Sequence, residues 1–93
     1  MKKKDIISAI VNRVESSRTV EYSTWRIGLT HDPDERKQEQ QNKGRNIDFW
    51  QQWWADSLSD AEQVESYFIS EKGMEGGTGG ELDARKAVYV YIF

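Results

Sequence analysis

The first apolar residues of the chain recur at helical spacing. Residues 5–16 carry one stripe of aliphatic side chains, formed by Ile6, Ile7, Ile10, Val11 and Val14. A stripe with this period predicts an amphipathic helix, with Asp5 as the expected N-cap and Ser16 near its end. Residues 1–4, which hold three lysines, are predicted to form a flexible basic tail, because lysines before a helix oppose its dipole.

Three later segments have the residue types of strands. Residues 19–29 are rich in β-branched and aromatic residues of alternating character, and residues 47–55 carry three of the four tryptophans. Residues 87–93 are apolar on both faces, which is typical of a central strand covered on two sides. The pattern therefore predicts three strands, of which the last in sequence is central.

A second helix is predicted from its capping residues. Asp32 can cap it, Pro33 suits the first helical position, and Glu35 completes a capping box. Gly44 is the expected stop at the other end. No large apolar residue lies between these signals, so we expect this helix on the surface.

The third helix is predicted to begin at a capping box over residues 59–62 and to end near Lys72 and Gly73. Its apolar stripe is formed by Ala61, Val64 and Phe68, with Ile69 as a candidate fourth member. The glycine-rich residues 76–80 lack the Lys-Ser/Thr pair of a phosphate-binding loop. We therefore predict that residues 76–80 form a flexible connector to the last strand.

Together these elements predict an α+β fold in which three helices flank a three-stranded, mainly antiparallel sheet. A chain of 93 residues with one such set of elements fits a single domain, residues 1–93. The absence of cysteine excludes disulfides and thiolate metal sites, and a single histidine excludes sites that need two. No apolar run reaches the ~20 residues of a membrane span, so we expect no membrane association and a cytoplasmic location.

Charge is distributed unevenly along the chain. The net charge is −3, and residues 46–93 hold nine acids against three bases. A protein that binds nucleic acid through its overall field is usually basic. Any contact with phosphate must therefore be local.

The segment RIGLTHDPDER, residues 26–36, resembles the second half of the GIY-YIG nuclease signature. In that family a strand ending in Tyr-Ile-Gly leads into a helix that bears an arginine eight residues after the glycine, as Arg36 follows Gly28. Downstream, the family has a helix with a small residue four positions before a glutamate, matching Ala61 and Glu65. The resemblance covers roughly residues 25–70 and implies a GIY-YIG-like fold.

The family's opening Gly-Ile-Tyr strand has no match upstream of Arg26. Residues 87–89, Ala-Val-Tyr on the terminal strand, resemble a displaced copy of it. A circularly permuted GIY-YIG domain is therefore a hypothesis that predicts an internal position for residues 87–93.

The resemblance implies a nuclease that hydrolyses phosphodiester bonds of DNA or RNA with Mg²⁺ or Mn²⁺. Matched residue by residue, Glu65 would be the metal ligand, Arg36 the phosphate contact and Tyr89 the catalytic tyrosine. Arg26 stands where the family has its second tyrosine, and with Arg36 it is a candidate for nucleic-acid binding. Hard cations of this kind prefer oxygen ligands and keep much of their water, so one carboxylate is an acceptable protein donor.

Each candidate also has a structural interpretation. Arg36 would then be a solvated charge or a partner of Asp32 or Gln40, and Glu65 a residue at the helix flank. Tyr89 and Tyr91 would be buried or half-buried strand aromatics. A turn role is the simpler interpretation of His31.

Because Arg26 replaces the family's tyrosine, two classes of function remain open. One is a metal-dependent phosphodiester hydrolase. The other is a catalytically inert GIY-YIG-fold module that binds protein or nucleic acid. An exposed pair among Trp50, Trp53 and Trp54 would mark a protein contact.

Overall fold

A computed structural model describes residues 1–18, 20–76 and 81–93 of the chain. Within these ranges it contains three α-helices, a short 3₁₀ turn at Tyr22–Thr24, and one four-stranded sheet. The elements in chain order are α1 (Lys3–Glu15), β1 (Arg26–Thr30), α2 (Pro33–Asn42), β2 (Gln51–Ala55), α3 (Leu58–Ser70), β3 (Glu75–Gly76) and β4 (Val88–Ile92). Among the described residues no helix has the length and apolar character needed to cross a membrane.

The sheet has the order β2-β4-β1-β3. The last strand, β4, pairs antiparallel with both β1 and β2, so its predicted internal position is confirmed. The α+β class with three helices is also confirmed. The predicted three-stranded sheet needs correction, because β3 adds a short parallel pairing to β1 and makes the sheet mixed. A two-residue strand is too short to produce a recognisable sequence pattern.

The first strand is shorter than residues 19–29, because the chain turns before it. Thr24 donates to the carbonyl of Glu21 through both its backbone N–H, at 3.1 Å, and its hydroxyl, at 2.8 Å. The turn places the ring of Tyr22 on that of Phe68, with centroids 6.2 Å apart. The strand therefore begins at Arg26; residue 19 lies outside the described residues.

The second strand is also shorter than predicted. Asp48 N–H donates to Asn46 Oδ1 at 2.9 Å, and Trp50 N–H donates to the Ile47 carbonyl at 3.1 Å. These local bonds hold residues 46–50 in a turn, so β2 begins at Gln51. Side-chain-to-backbone bonds of this type compete with a sheet ladder and override strand propensity.

Two of the predicted N-caps differ from those observed. Helix α1 begins at Lys3 with Lys2 in the cap position, so Asp5 lies inside its first turn. Helix α3 is capped by Ser57, whose hydroxyl accepts from Asp60 N–H at 3.1 Å, rather than by residue 59. Serine lies at both positions, and the capping preference alone does not distinguish them.

The other capping signals predict the structure correctly. Asp32 Oδ1 accepts from Glu35 N–H at 3.1 Å at the start of α2, and Gly44 follows its end with a φ of +81°.

In the segment predicted as a basic tail, the Met1 nitrogen donates to the Trp54 carbonyl at 2.6 Å, and the Met1 carbonyl accepts from Asp56 N–H at 2.9 Å.

The hydrophobic core lies between one face of the sheet and the helices α1 and α3. The helices supply the predicted apolar stripes, which are buried at Ile6, Ile10, Val14, Ala61, Val64 and Phe68. Alternate residues of β4, Val88, Val90 and Ile92, point into this core. Because side chains alternate along a strand, Tyr89 and Tyr91 lie on the opposite face, which α2 approaches.

On this second face Gly28 lies directly opposite Tyr91 in the β1–β4 register. A Cβ atom on Gly28 would fall against the Tyr91 hydroxyl and 2.5 Å from Cζ. Glycine is needed here for close approach, since the ring occupies the space that any other side chain would fill.

We expect Gly28→Ala to lower the free energy of unfolding by about 1–3 kcal/mol, because the new methyl group must displace the Tyr91 ring. Urea denaturation of wild type, Gly28→Ala, Tyr91→Ala and the double variant measures this cost. Gly28→Ala should cost less in the Tyr91→Ala background, where the ring is absent. An equal cost in both backgrounds would show that the ring is not the obstacle.

Candidate functional site

Helix α2 directs Arg36 inward onto the second face of the sheet. Arg36 Nε donates to the Tyr91 hydroxyl at 2.9 Å, and Nη1 donates to Glu39 at 3.1 Å. The Arg36 side chain is only 18% exposed. Burial alone would lower the pKa of Arg36, but its hydrogen bonds to Tyr91 and Glu39 raise it above the ordinary value. A charged side chain that is held inward on a helix without apolar residues differs from the solvated charge expected at such a position.

Tyr91 is fully buried beneath an aromatic ring. The indole of Trp50 stacks on it with centroids 4.5 Å apart and an interplanar angle of 7°. Burial raises the pKa of the Tyr91 hydroxyl, the Arg36 guanidinium opposes this, and the negative charges of Glu65 and Glu39 raise it further. Tyr91 is therefore a neutral phenol at physiological pH.

Glu65 is half-buried on α3 and acts electrostatically on the same hydroxyl. Its helix presents Val64 and Phe68 to the core, so Glu65 lies at the flank of that buried stripe. Arg36 and Glu65 thus both interact with the Tyr91 hydroxyl, Arg36 by a hydrogen bond and Glu65 through its charge. We refer to these three residues as the Tyr91 cluster. The structure brings together two of the predicted residues, Arg36 and Glu65, through a tyrosine that the motif match did not select.

Tyr89 occupies a different place on β4. It lies opposite Thr30 in β1 and Trp54 in β2, and its ring centroid is 6.0 Å from that of Trp54. The hydroxyl bonded to Arg36 belongs to Tyr91, two residues further along the strand. A catalytic role for Tyr89 stays a prediction. The feature that identifies Tyr91 as the partner of Arg36 is its position opposite Gly28 in the β1–β4 pair. That position is known only once the strand pairing is known.

Arg26 forms an ion pair at the edge of the sheet. Its Nη1 atom donates to Glu75 Oε1 at 2.8 Å, where β1 runs beside β3. The pair is partly exposed, with the Arg26 side chain 29% accessible. Binding of nucleic acid by Arg26 stays a prediction, and it would require Arg26 to exchange this carboxylate for a phosphate.

The donor atoms for a divalent cation are few. No group of three or more His, Cys, Asp or Glu residues with metal-binding geometry occurs among residues 1–18, 20–76 and 81–93. Glu65 offers a carboxylate, and a hydrated Mg²⁺ or Mn²⁺ ion can be held by one carboxylate plus water. Binding of such a cation by Glu65 stays a prediction.

The three tryptophans within residues 47–55 have different environments. Trp50 stacks on Tyr91, and Trp53 packs against the core from the other face of β2. Trp54 is 61% exposed beside the half-buried Tyr89.

Within the predicted glycine connector, Gly76 pairs with Ile27, and residues 77–80 lie outside the described part of the chain.

His31 connects the end of β1 to the segment before β4. Its Nε2 atom accepts from Asp83 N–H at 2.8 Å, and Nδ1 lies 2.8 Å from the Ala87 carbonyl. A backbone N–H can only donate and a carbonyl can only accept, so Nδ1 must carry the hydrogen. The turn interpretation of His31 matches these contacts.

No family model, curated protein or solved structure matches this chain.

The high pKa values of two tyrosines predict a loss of stability in alkali. Burial and the hydrogen bond to Glu15 raise the pKa of Tyr22 to about 12, and burial raises that of Tyr91. An unfolded tyrosine ionises near pH 10. Above that pH the unfolded state loses its protons first, so the free energy of unfolding should fall until the folded-state pKa is reached.

Urea denaturation at several pH values between about 9 and 12 measures this fall. We expect a shallower fall in Tyr22→Phe than in wild type, whereas the neighbouring Ser23→Ala should follow wild type. Identical pH slopes in wild type and Tyr22→Phe would contradict the raised pKa of Tyr22.

The tautomer of His31 can be observed directly, because the chain has one histidine. Long-range ¹H–¹⁵N correlation spectra in alkaline buffer, where imidazole is neutral, should show the Nδ1–H form. The same chain unfolded in urea is the control and should show the Nε2–H form that free histidine prefers. A folded spectrum with hydrogen on Nε2 would rule out the bond from Asp83 N–H.

Proposed function

We propose that this chain is a divergent GIY-YIG-like domain, a metal-dependent phosphodiester hydrolase acting on nucleic acid, with the Tyr91 cluster as its active site. The observation that carries the proposal is the 2.9 Å hydrogen bond from Arg36 Nε to the Tyr91 hydroxyl. The negative charge of Glu65 also acts on this hydroxyl and raises its pKa. The resemblance in residues 26–36 and 61–65 supports the assignment of Arg36 and Glu65. The internal position of β4, antiparallel to β1, is what the permuted order requires.

Arg36 is the phosphate-binding group in this proposal. It would exchange its Glu39 contact for a phosphate oxygen while its Nε atom keeps the bond to Tyr91. A guanidinium held from one side in this way is already oriented, so less side-chain entropy is lost on binding. Glu39, which lies on the exposed side of Arg36, would be displaced.

Tyr91 acts as a hydrogen-bonding group. Because its pKa is raised, it keeps its proton at neutral pH, and its hydroxyl orients Arg36 for the phosphate. Glu65 would hold the divalent cation, which when bound stabilises negative charge on the phosphate. Tyr91 is 0% exposed, so phosphate reaches the cluster from the Arg36 side.

A cleavage assay with matched variants tests the hydrolase. Labelled single-stranded DNA, duplex DNA and RNA are incubated with Mg²⁺ or Mn²⁺ and each protein. We expect Arg36→Ala and Glu65→Gln to reduce cleavage by about 100-fold, the typical cost of removing one group that stabilises transition-state charge. The controls Lys37→Ala and Glu62→Gln change neighbouring charges on the same helices and should retain activity.

Amide chemical-shift changes during Mg²⁺ titration provide a second readout. Changes centred on Glu65 and absent in Glu65→Gln would support the metal-ligand assignment. An intact wild-type fold that cleaves none of the three substrates would contradict the hydrolase.

A catalytically inert GIY-YIG-fold module that binds protein or nucleic acid is the second candidate. Two observations favour it: the Tyr91 hydroxyl is fully buried, and Trp54 is 61% exposed next to Tyr89. Exposed tryptophan beside tyrosine is typical of the energetic centre of a protein interface. Absence of both cleavage and shift changes at millimolar metal would favour this module over the hydrolase.

A further inference from the structure

A cavity lies beyond the end of α1. It has a volume of about 720 Å³ and is walled by Arg13 and Arg18, by the 3₁₀ turn, by Asn46 and Phe49, and by Phe93 after β4. Sites for small ligands typically measure about 300–1,000 Å³. The cavity is therefore large enough for a ligand of one or two rings.

The charged residues of this cavity are arginines. Arg13 and Arg18 line it, and no aspartate or glutamate side chain is among its described lining residues. This local positive charge contrasts with the net charge of −3 of the whole chain. A cavity with such walls selects an anionic group.

Arg13 also has an unsatisfied hydrogen-bond donor. Its Nε atom is buried and has no partner among the described residues, while its Nη2 atom makes only a long contact of 3.5 Å to the Phe49 carbonyl. Buried donors in native proteins almost always have an acceptor. An oxygen of an anionic ligand would satisfy this one.

The carbonyl end of α1 lies near the cavity and would disfavour an anion if left uncompensated. Val14 O accepts from both the hydroxyl of Ser17, at 2.6 Å, and its backbone N–H, at 3.1 Å. Asn12 O accepts from Ser16 N–H at 3.0 Å. These bonds satisfy two carbonyls of the last turn and reduce their negative potential.

The uncharged wall of the cavity is aromatic. Phe49 is 53% exposed, and its ring centroid lies 6.4 Å from that of the buried Trp25. Phe93 continues this wall and lies 5.3 Å, centroid to centroid, from Trp50. An exposed aromatic ring such as that of Phe49 can stack on the planar base of a nucleotide.

We propose that this cavity binds a nucleotide unit, with Arg13 and Arg18 on its phosphate and Phe49 against its base. The Asn46 side-chain oxygen accepts from Asp48 N–H, and its amide NH₂ can donate to a base edge. The required chemistry is a planar ring joined to a phosphate, found both in free nucleotides and in single strands. The inference goes beyond the proposed function and does not depend on it, because this binding needs neither Glu65 nor a metal ion.

Isothermal titration of the full chain in metal-free buffer tests the site. The probes are adenosine monophosphate, adenosine, inorganic phosphate and a short single-stranded oligonucleotide. The monophosphate should bind more tightly than adenosine or phosphate, because only it engages both walls. A similar affinity for phosphate and the monophosphate would overturn the proposal, as would no binding of the monophosphate.

Variants assign the binding to this cavity. Arg13→Gln and Phe49→Ala should each weaken binding of the monophosphate by about tenfold, as expected for loss of a charge-assisted hydrogen bond or a stacked ring. Because Phe49 is exposed, its truncation leaves the core intact, which an unchanged melting temperature would show. The control Lys4→Gln removes a positive charge from the other end of α1 and should bind as wild type does.

Unchanged affinity in both Arg13→Gln and Phe49→Ala would place any binding elsewhere and overturn the proposal. If the oligonucleotide binds more tightly than the monophosphate, the ligand is a strand; equal or weaker binding assigns free nucleotides. If the monophosphate does not bind, the proposal of metal-dependent cleavage at the Tyr91 cluster is unaffected. If cleavage is absent, the proposal of nucleotide binding in this cavity is likewise unaffected.

Discussion

The close approach of Gly28 and Tyr91 across the β1–β4 pair organises the second face of this protein. The missing Cβ of Gly28 leaves space for the phenol ring, and the Trp50 indole covers it. With the ring held in this way, its hydroxyl is fixed at the position where Arg36 can reach it. A pairing shifted by one residue would turn Tyr91 to the other face and remove the cluster altogether.

Helix α2 is attached to the sheet through polar side chains, which is unusual because helices are generally held by apolar faces. Arg36 bonds to the Tyr91 hydroxyl on β4, and Gln40, one turn further along α2, is buried. The same arginine therefore holds the helix in place and is the proposed phosphate ligand. Binding of phosphate by Arg36 must preserve the Tyr91 bond if α2 is to stay docked, which restricts the direction from which the ligand approaches.

Features determined by neighbouring residues were predictable from the sequence. The cap at Asp32, the end at Gly44 and the buried stripe of Val64 and Phe68 follow from local spacing, and the structure has them. The two-sided apolar character of residues 87–93 was sufficient to predict an internal strand. The starts of β1 and β2 were mispredicted because short turns in front of them satisfy backbone groups locally.

Features that depend on pairing between distant segments were not predictable in detail. Alternation places Tyr89 and Tyr91 on one face of β4, but only the register with Gly28 identifies which hydroxyl meets Arg36. The arginine-lined cavity likewise combines residues near 13–18, 46–49 and 93, which no single motif contains.

The internal position of β4 also determines the order in which the sheet can form. Strands β1 and β2 do not pair with each other. Both pair with β4, tens of residues further along the chain, and β1 also makes a two-residue pairing with β3. Both ladders therefore close large loops before they gain any stabilising contact, which slows folding. Until β4 docks, β1 and β2 have open edges that can pair with other chains. Helices α1 and α3, which contact each other, can assemble before β4 arrives and present an apolar surface on which it can dock.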